Sequence, residues 1–243
     1  MKLLELIASH VSVRAFQDKT VEQTTLENIL RAAQGTSTSS HVQAYSVIRI
    51  SNSQIRQALC DVSGDQAWVA SAPEFLVFCA DLNRLSTISQ SHGQGPLEGY
   101  CEHSLASVVD VALFAQSVLL GAESVGLGGV FIGGLRNDTD RVIELLGLPD
   151  GVFPVFGMCL GYPATKNTVK PRLPLNEILH ENQYDLVKQD DNVSAYDNLM
   201  QDYYGDRDAA VPRTWKATVS SALQNKKREH IKASLAKQGF FKF

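Results

Sequence analysis

The stretch GLGGVFIGG, residues 126–134, decides between two kinds of fold. Its glycines invite comparison with the dinucleotide fingerprint GxGxxG, but after Gly126 and Gly128 the third glycine position is held by Phe131. The order is also reversed. In the fingerprint a strand runs through the glycine turn into a helix, whereas here a long apolar helical stretch comes first and the glycines lead into strand-like Val130, Phe131 and Ile132. A doubly wound nucleotide-binding sheet does not fit. Two glycine pairs flanking Val-Phe-Ile let a backbone come close to something flat, and simple packing of a strand on a helix accounts for them equally well.

Outward from this point the chain mixes strands and helices without βαβ alternation. The pattern predicts helices over residues 3–9 and 21–34, the second with Leu26, Ile29, Leu30 and Ala33 on one face and Gly35 as its stop. The polar TSTSSHVQ (36–43) reads as a loop and 45–50 as a strand. Ser53 is expected to cap a helix through Val62, closed by Gly64. PEFLVFCAD (73–81) is a nearly continuous apolar run, the mark of a buried strand, and VFPVFGMCLGYP (152–163) is another. Residues 86–100, rich in Ser, Gly and Gln, read as a loop, followed by a long helix to about Val125. Strand-like 128–134 precedes a helix capped by Asp138 or Thr139 and ended by Gly147 and Pro149. From Asp190 the chain turns helical and polar. The class is α+β, with a central, mostly antiparallel sheet flanked by helices.

With 243 residues, the chain has ample length for a core without disulfide or metal staples. A net charge of −4 gives no general attraction to nucleic acid or to an anionic membrane. The N-terminal MKLLELIASHVSVR has too short an apolar run for a signal peptide, and Glu5 interrupts it. The apolar stretch 105–130 contains Asp110, Gln116 and Glu123 and reads as a buried helix rather than a membrane span. Cys60, Cys79, Cys101 and Cys159 show no CxxC spacing. A cytoplasmic, reducing setting is expected.

P-loop, GxSxG and HExxH motifs are absent, and the six histidines show no metal-ligand spacing. In an extended segment His10, Ser12 and Arg14 share one face, a set of donors suited to a phosphate or to an ordinary solvated strand face. Ser37 to Ser40 offer hydroxyls and amides of similar use. In KPRLP (170–174) two cations flank a proline that stiffens them into an extended segment. From Arg213 onward eight Lys or Arg stand against one acid, Glu229, as in an exposed helix offsetting the acidic remainder.

Taken in order, His-x-Ser-x-Arg, TSTSS, GLGGVFIGGLRN and LGYPA…KPRLP resemble the oxygen-insensitive NADPH nitroreductases and NADPH–flavin oxidoreductases of bacteria, which carry FMN on the nitroreductase fold. The resemblance runs over essentially the whole chain and implies one domain over 1–243, with a C-terminal basic arm from about 190 serving dimerisation and NADPH. It implies that the motif His10, Val11, Ser12, Val13 and Arg14 binds the FMN phosphate together with Arg172, Val11 standing where arginine is common. Thr38, Ser39 and Ser40 would line the flavin pocket, and His41 replaces a more typical large apolar residue. Gln66 would face the flavin ring, Phe131, Ile132, Gly133 and Gly134 would lay backbone against its edge, and Lys170 would sit near its pyrimidine end. Arg207 and Arg213 would meet the NADPH 2′-phosphate. The implied activity is FMN-dependent and ping-pong: NADPH reduces the flavin, then a nitroaromatic, quinone or flavin takes two electrons. No protein general base is required. A flavin reductase supplying reduced flavin, or a flavin sensor with little turnover, are the alternatives. An intertwined homodimer is implied, with small-molecule acceptors as the other partners.

Overall fold

The computed structural model describes residues 2–187, 189–205, 214–225 and 227–243. The chain divides into two compact units, Met1–Asn167 with Arg228–Phe243, and Thr168–Lys227.

The first unit contains α1 (Leu3–Ala8), α2 (Gln23–Ala33), β1 (Tyr45–Arg49), α3 (Ser53–Val62), α4 (Ala67–Ser71), β2 (Glu74–Asp81), α5 (Asn83–Ser91), α6 (Cys101–Ser124), β3 (Gly128–Ile132), α7 (Thr139–Leu146) and β4 (Val152–Gly161). The second contains α8 (Leu175–Ile178), α9 (Gln189–Gly205) and α10 (Trp215–Asn225), after which α11 (Ile231–Lys237) belongs again to the first. The sheet has the order β1-β2-β4-β3 and every pairing is antiparallel. The expected α+β class with an antiparallel sheet is what forms.

β2 explains the layering. All eight of its residues are buried, because both faces of the sheet are covered. Leu76 and Phe78 point into a core with Val111, Phe114, Val118 and Leu119 of α6 and Leu26 and Ile29 of α2. Phe75, Val77 and Cys79 alternate to the other face, against Leu59 of α3, Val69 of α4 and Val142 of α7. Each such side chain contributes about 1.5–3 kcal/mol on burial.

By length and composition α6 is apolar enough to cross a membrane. Here it packs on the sheet, and its buried face includes Ser104, Ser107 and Asp110. Its outer face leaves Leu105, Val109 and Leu113 exposed, and α1 likewise exposes Leu3, Leu4 and Ile7. The C-terminal residues close the first unit: Phe240 is fully buried beside Leu82 and Phe153.

Four local expectations are corrected. Asn52, not Ser53, caps α3, its side-chain oxygen accepting from the amides of Gln54 and Ile55 at 2.9 and 3.0 Å. α2 begins at Gln23 rather than residue 21. Residues 86–91, expected in a loop, belong to α5, where hydroxyls donate back to carbonyls of the same helix (Thr87 to Asn83, 3.0 Å; Ser91 to Ile88, 2.7 Å). The polar composition that suggested a loop is thus satisfied inside a helix. β3 ends at Ile132, and Gly133–Asn137 form a 3-10 turn instead of continuing the strand. Asp138 caps α7 through the Arg141 amide at 3.0 Å, and Gly147, at φ 59°, ends it in the left-handed conformation.

In the second unit, Tyr196 of α9 is buried and meets Trp215 of α10 edge to face at 5.3 Å. The Lys216 amide donates to Asp197 at 2.8 Å, so α9 and α10 are tied by an aromatic contact and a cap.

Candidate cofactor site

The N-terminal motif runs as an added edge beside β3. Ser12 forms a parallel bridge with Gly129, and the Val13 amide donates to the Gly129 carbonyl at 2.9 Å. Further on, Phe16 bridges Pro163 and the Ala164 amide donates to Ala15 at 2.9 Å. Val13 is buried while Ser12 and Arg14 are exposed, so the alternation expected of an extended segment holds. Val11 is half-buried. His10 differs: its ring is turned to α6, where Nδ1 meets Glu123 Oε1 at 2.6 Å. Arg14 lies over the Trp68 ring, 5.6 Å from its centroid. No carboxylate pairs with Arg14 among the described residues.

The two glycine pairs of the opening stretch have different reasons. A Cβ on Gly128 would lie 2.5 Å from Val13 Cγ2, and one on Gly129 would lie 2.7 to 2.9 Å from Leu160, the Cys159 carbonyl and Leu119. Close packing accounts for this pair. Gly134 instead makes room for Gln66, whose Nε2 would lie 2.6 Å from an added Cβ, with the Ser63 carbonyl at 2.5 Å. Gln66 precedes α4 and donates from Nε2 to the Ser63 carbonyl at 2.7 Å. The structure therefore brings Gln66 and Gly134 together. The nearest group to a Cβ on Gly133 would be the Arg136 guanidinium, at 3.3 Å. Ile132 is buried, whereas Phe131 is 37% exposed and meets Phe156 edge-on at 5.1 Å.

The hydroxyl loop is held from α6. Asp110 Oδ1 accepts from the Ser39 amide at 2.9 Å and Oδ2 from the Ala44 amide at 3.1 Å. Between them Ser40, His41 and Gln43 take positive φ of 46°, 59° and 53°. Ser39 and Ser40 are exposed; the Thr38 hydroxyl is buried with no hydrogen-bond partner among the described residues. On the other side of this loop a cavity of about 810 Å³ opens between α2, β1 and α5, lined among others by Arg31, His41, Tyr45 and Arg84. None of the residues assigned above to the flavin lines it.

Lys170 and Arg172 belong to the second unit, in a segment that is neither helix nor strand. The Tyr196 hydroxyl donates to the Pro171 carbonyl at 2.9 Å, pinning the proline between the two cations. Lys170 Nζ lies 5.1 Å from the centroid of the Tyr204 ring. Burial pushes the Tyr196 hydroxyl pKa up, and Lys170 and Arg172 oppose that shift. Arg207 and Arg213 lie outside the described residues.

Residue-by-residue reading missed Asp110, Glu123 and Trp68 as partners of candidate residues in the first unit, and Tyr196 as the partner of Pro171 in the second. The first two had a visible signal, an acid inside an apolar helix, which is costly unless the carboxylate has donors to accept from.

This antiparallel α+β architecture is shared with solved nitroreductases and NADPH oxidoreductases. The structure of NfrA1 nitroreductase from Bacillus subtilis superposes with a TM-score of 0.96 at 35% identity, covering 100% of both chains. NADPH:FMN oxidoreductase from Vibrio harveyi, complexed with NAD+, superposes with a TM-score of 0.90 at 40% identity, covering 99% of both. The oxygen-insensitive NADPH nitroreductase of Salmonella typhimurium is 42% identical over 238 residues, 98% of this chain and 97% of the relative. The chain belongs to the nitroreductase family: residues 7–162 match "Nitroreductase family" and residues 170–242 match "Nitroreductase family, C-terminal domain".

Proposed function

We propose that this chain binds FMN and uses NADPH for ping-pong two-electron reduction of nitroaromatics, quinones or free flavin, as a homodimer in the cytoplasm. The observation that carries the reading is the pairing of Ser12 with Gly129. It lays the exposed donors Ser12 and Arg14 along the strand that carries Phe131. The residues fit the cofactor: an exposed guanidinium with no acid partner among the described residues suits a phosphate, and the unpartnered Thr38 hydroxyl suits a polar ligand edge.

When bound, FMN supplies hydride uptake from NADPH and the passing of two electrons to an acceptor. The chain's part is to bind, orient and stabilise. His10, Ser12, Arg14 and Arg172 hold the phosphate, with Val11 and Val13 giving the segment its backbone. Thr38, Ser39, Ser40 and Gln66 line the pocket, and Phe131, Ile132, Gly133 and Gly134 present backbone to the ring edge. Lys170 stabilises negative charge at the pyrimidine end. Arg207 and Arg213 read the 2′-phosphate of NADPH. The apolar faces of α1 (Leu3, Leu4, Ile7) and α6 (Leu105, Val109, Leu113) support the second copy, since they offer apolar surface that a partner would cover. The segment from about 190 serves as the arm of one functional domain spanning the chain.

The test is direct. Purified protein should be yellow, be bleached by NADPH without oxygen, and turn over FMN, a quinone and a nitrofuran when they are compared side by side. A protein that binds flavin but is not bleached would be a sensor, and turnover confined to FMN would mark a dedicated flavin reductase.

A further inference from the structure

Asp110 sits in the middle of α6 and is fully buried. Among the described residues no cation pairs with it; its two oxygens are used on backbone amides, Ser39 at 2.9 Å and Ala44 at 3.1 Å. An unpaired carboxylate in a core costs far more than an apolar residue of the same volume, so its presence calls for a task that an apolar side chain cannot do. The task is visible in what lies between the two amides. Ser40, His41 and Gln43 all take left-handed φ (46°, 59° and 53°), and a non-glycine residue in that region is strained and persists only where its surroundings over-determine it. Local hydrogen bonds supply only part of this: the Val42 amide reaches the Ser39 carbonyl at 2.9 Å and the Tyr45 amide the Gln43 carbonyl at 2.8 Å, while the His41 amide reaches Thr38 only at 3.4 Å and the Gln43 side chain the His41 carbonyl at 3.3 Å. Arg84 steadies the far end from outside, donating to the Gln43 and Tyr45 carbonyls at 2.9 and 2.7 Å. Both ends of the strained turn are therefore fastened to one carboxylate.

We propose that Asp110 is a positioning residue for the cofactor site: by holding the Ser39 and Ala44 amides it fixes the left-handed turn that presents Ser39 and Ser40 outward and leaves the Thr38 hydroxyl unpartnered. This rests on the reading that the 38–40 hydroxyls line the flavin pocket. No atom of Asp110 touches the cofactor in this role, because its oxygens are occupied by the loop's own backbone.

The experiment pairs Asp110→Asn with Ser39→Ala. The amide of the first variant has one acceptor oxygen and one NH2, so one of the two backbone N–H groups loses its acceptor. FMN affinity, titrated by flavin fluorescence quenching on protein stripped of cofactor, should weaken about tenfold or more for Asp110→Asn. Ser39→Ala keeps the amide contact and should weaken it less. Adding His41→Gly to Asp110→Asn relieves one strained position and should restore part of the loss. Independently, hydrogen exchange on the wild-type protein should show Ser39 and Ala44 amides protected at least about a hundredfold over exposed loop amides. Unprotected amides, or unchanged affinity in Asp110→Asn, overturn the positioning role. If wild-type protein binds no flavin while both amides are protected, it is the pocket reading that fails, and with it this assignment.

Discussion

His10 Nδ1 and Glu123 Oε1 lie 2.6 Å apart across 113 residues of chain, joining the segment after α1 to the last turn of α6. The carboxylate side chain is 10% exposed and its other oxygen has no hydrogen-bond partner among the described residues. With Nδ1 engaged, the imidazole is oriented and Nε2 is left for another partner. Glu123→Gln removes the charge from this contact. It should cost about 1–2 kcal/mol of stability in urea unfolding and weaken FMN binding by about three- to tenfold if His10 serves the phosphate. Lost stability with unchanged flavin affinity would confine the pair to a structural role.

Gly134→Ala and Gly133→Ala form a contrasting pair. At Gly134 the new methyl meets the Ser63 carbonyl at 2.5 Å and Gln66 Nε2 at 2.6 Å. The backbone atom cannot yield cheaply, so about 1–3 kcal/mol of destabilisation and a displaced Gln66 are expected. At Gly133 the nearest group is the Arg136 guanidinium at 3.3 Å, itself held by the Val155 carbonyl at 2.5 Å. It has to give by only a few tenths of an ångström, so the change should cost less than at Gly134, about 1 kcal/mol or below. Thermal unfolding of both, with a flavin absorbance spectrum of each, checks this.

Arg207→Ala should raise KM for NADPH by about ten- to a hundredfold, the loss of an Arg–phosphate contact of about 1.5–3 kcal/mol, and leave KM for the acceptor nearly unchanged. Steady-state kinetics with each substrate varied in turn decides it. Equal effects on both substrates would remove Arg207 from the NADPH site.

Thiol reactivity should single out Cys101. Burial pushes Cys79 and Cys159 up to about 12 and raises Cys60 as well, so all three stay as inert thiols near neutral pH. Only Cys101 is exposed. One fast equivalent of disulfide reagent per native chain is expected, removed by Cys101→Ser, with the other three appearing on unfolding.

Asp140 gives an acid-side signature. The Ser234 hydroxyl donates to it at 2.7 Å and, with Lys237 nearby, holds its pKa below the ordinary carboxylate value. A carboxylate depressed in the folded state contributes stability above its unfolded pKa and loses it as pH falls through the folded value. Ser234→Ala should move the Asp140 titration, followed by NMR, back toward the ordinary range. The gap in stability between wild type and variant should then narrow as acid is added.

Much of this architecture was legible before any coordinates. The run of six apolar residues in 75–80 could only be a strand covered on both faces, and Gly147 could only be a stop, since local sterics decide such features wherever they occur. That GLGGVFIGG is not a dinucleotide fingerprint followed from Phe131 at the third glycine position and from the helix-before-strand order. Composition misled where satisfaction was internal: α5 looked like a loop because its hydroxyls are polar, and in the helix those hydroxyls bond to its own carbonyls.

For the candidate site, residue types along the chain determined which side chains could serve: the donors Ser12 and Arg14, the hydroxyls of 38–40 and the cations beside Pro171. The tertiary structure decided what holds them. Gly128 and Gly129 proved to be room for Val13 and Leu160, while Gly134 proved to be room for Gln66. Asp110 and Glu123, visible in the sequence only as acids in an apolar helix, reach residues 71 and 113 positions away. A hydrogen bond requires about 3 Å in space and no fixed separation along the chain. Such partners are settled when α6 packs on the sheet, and no local pattern encodes them.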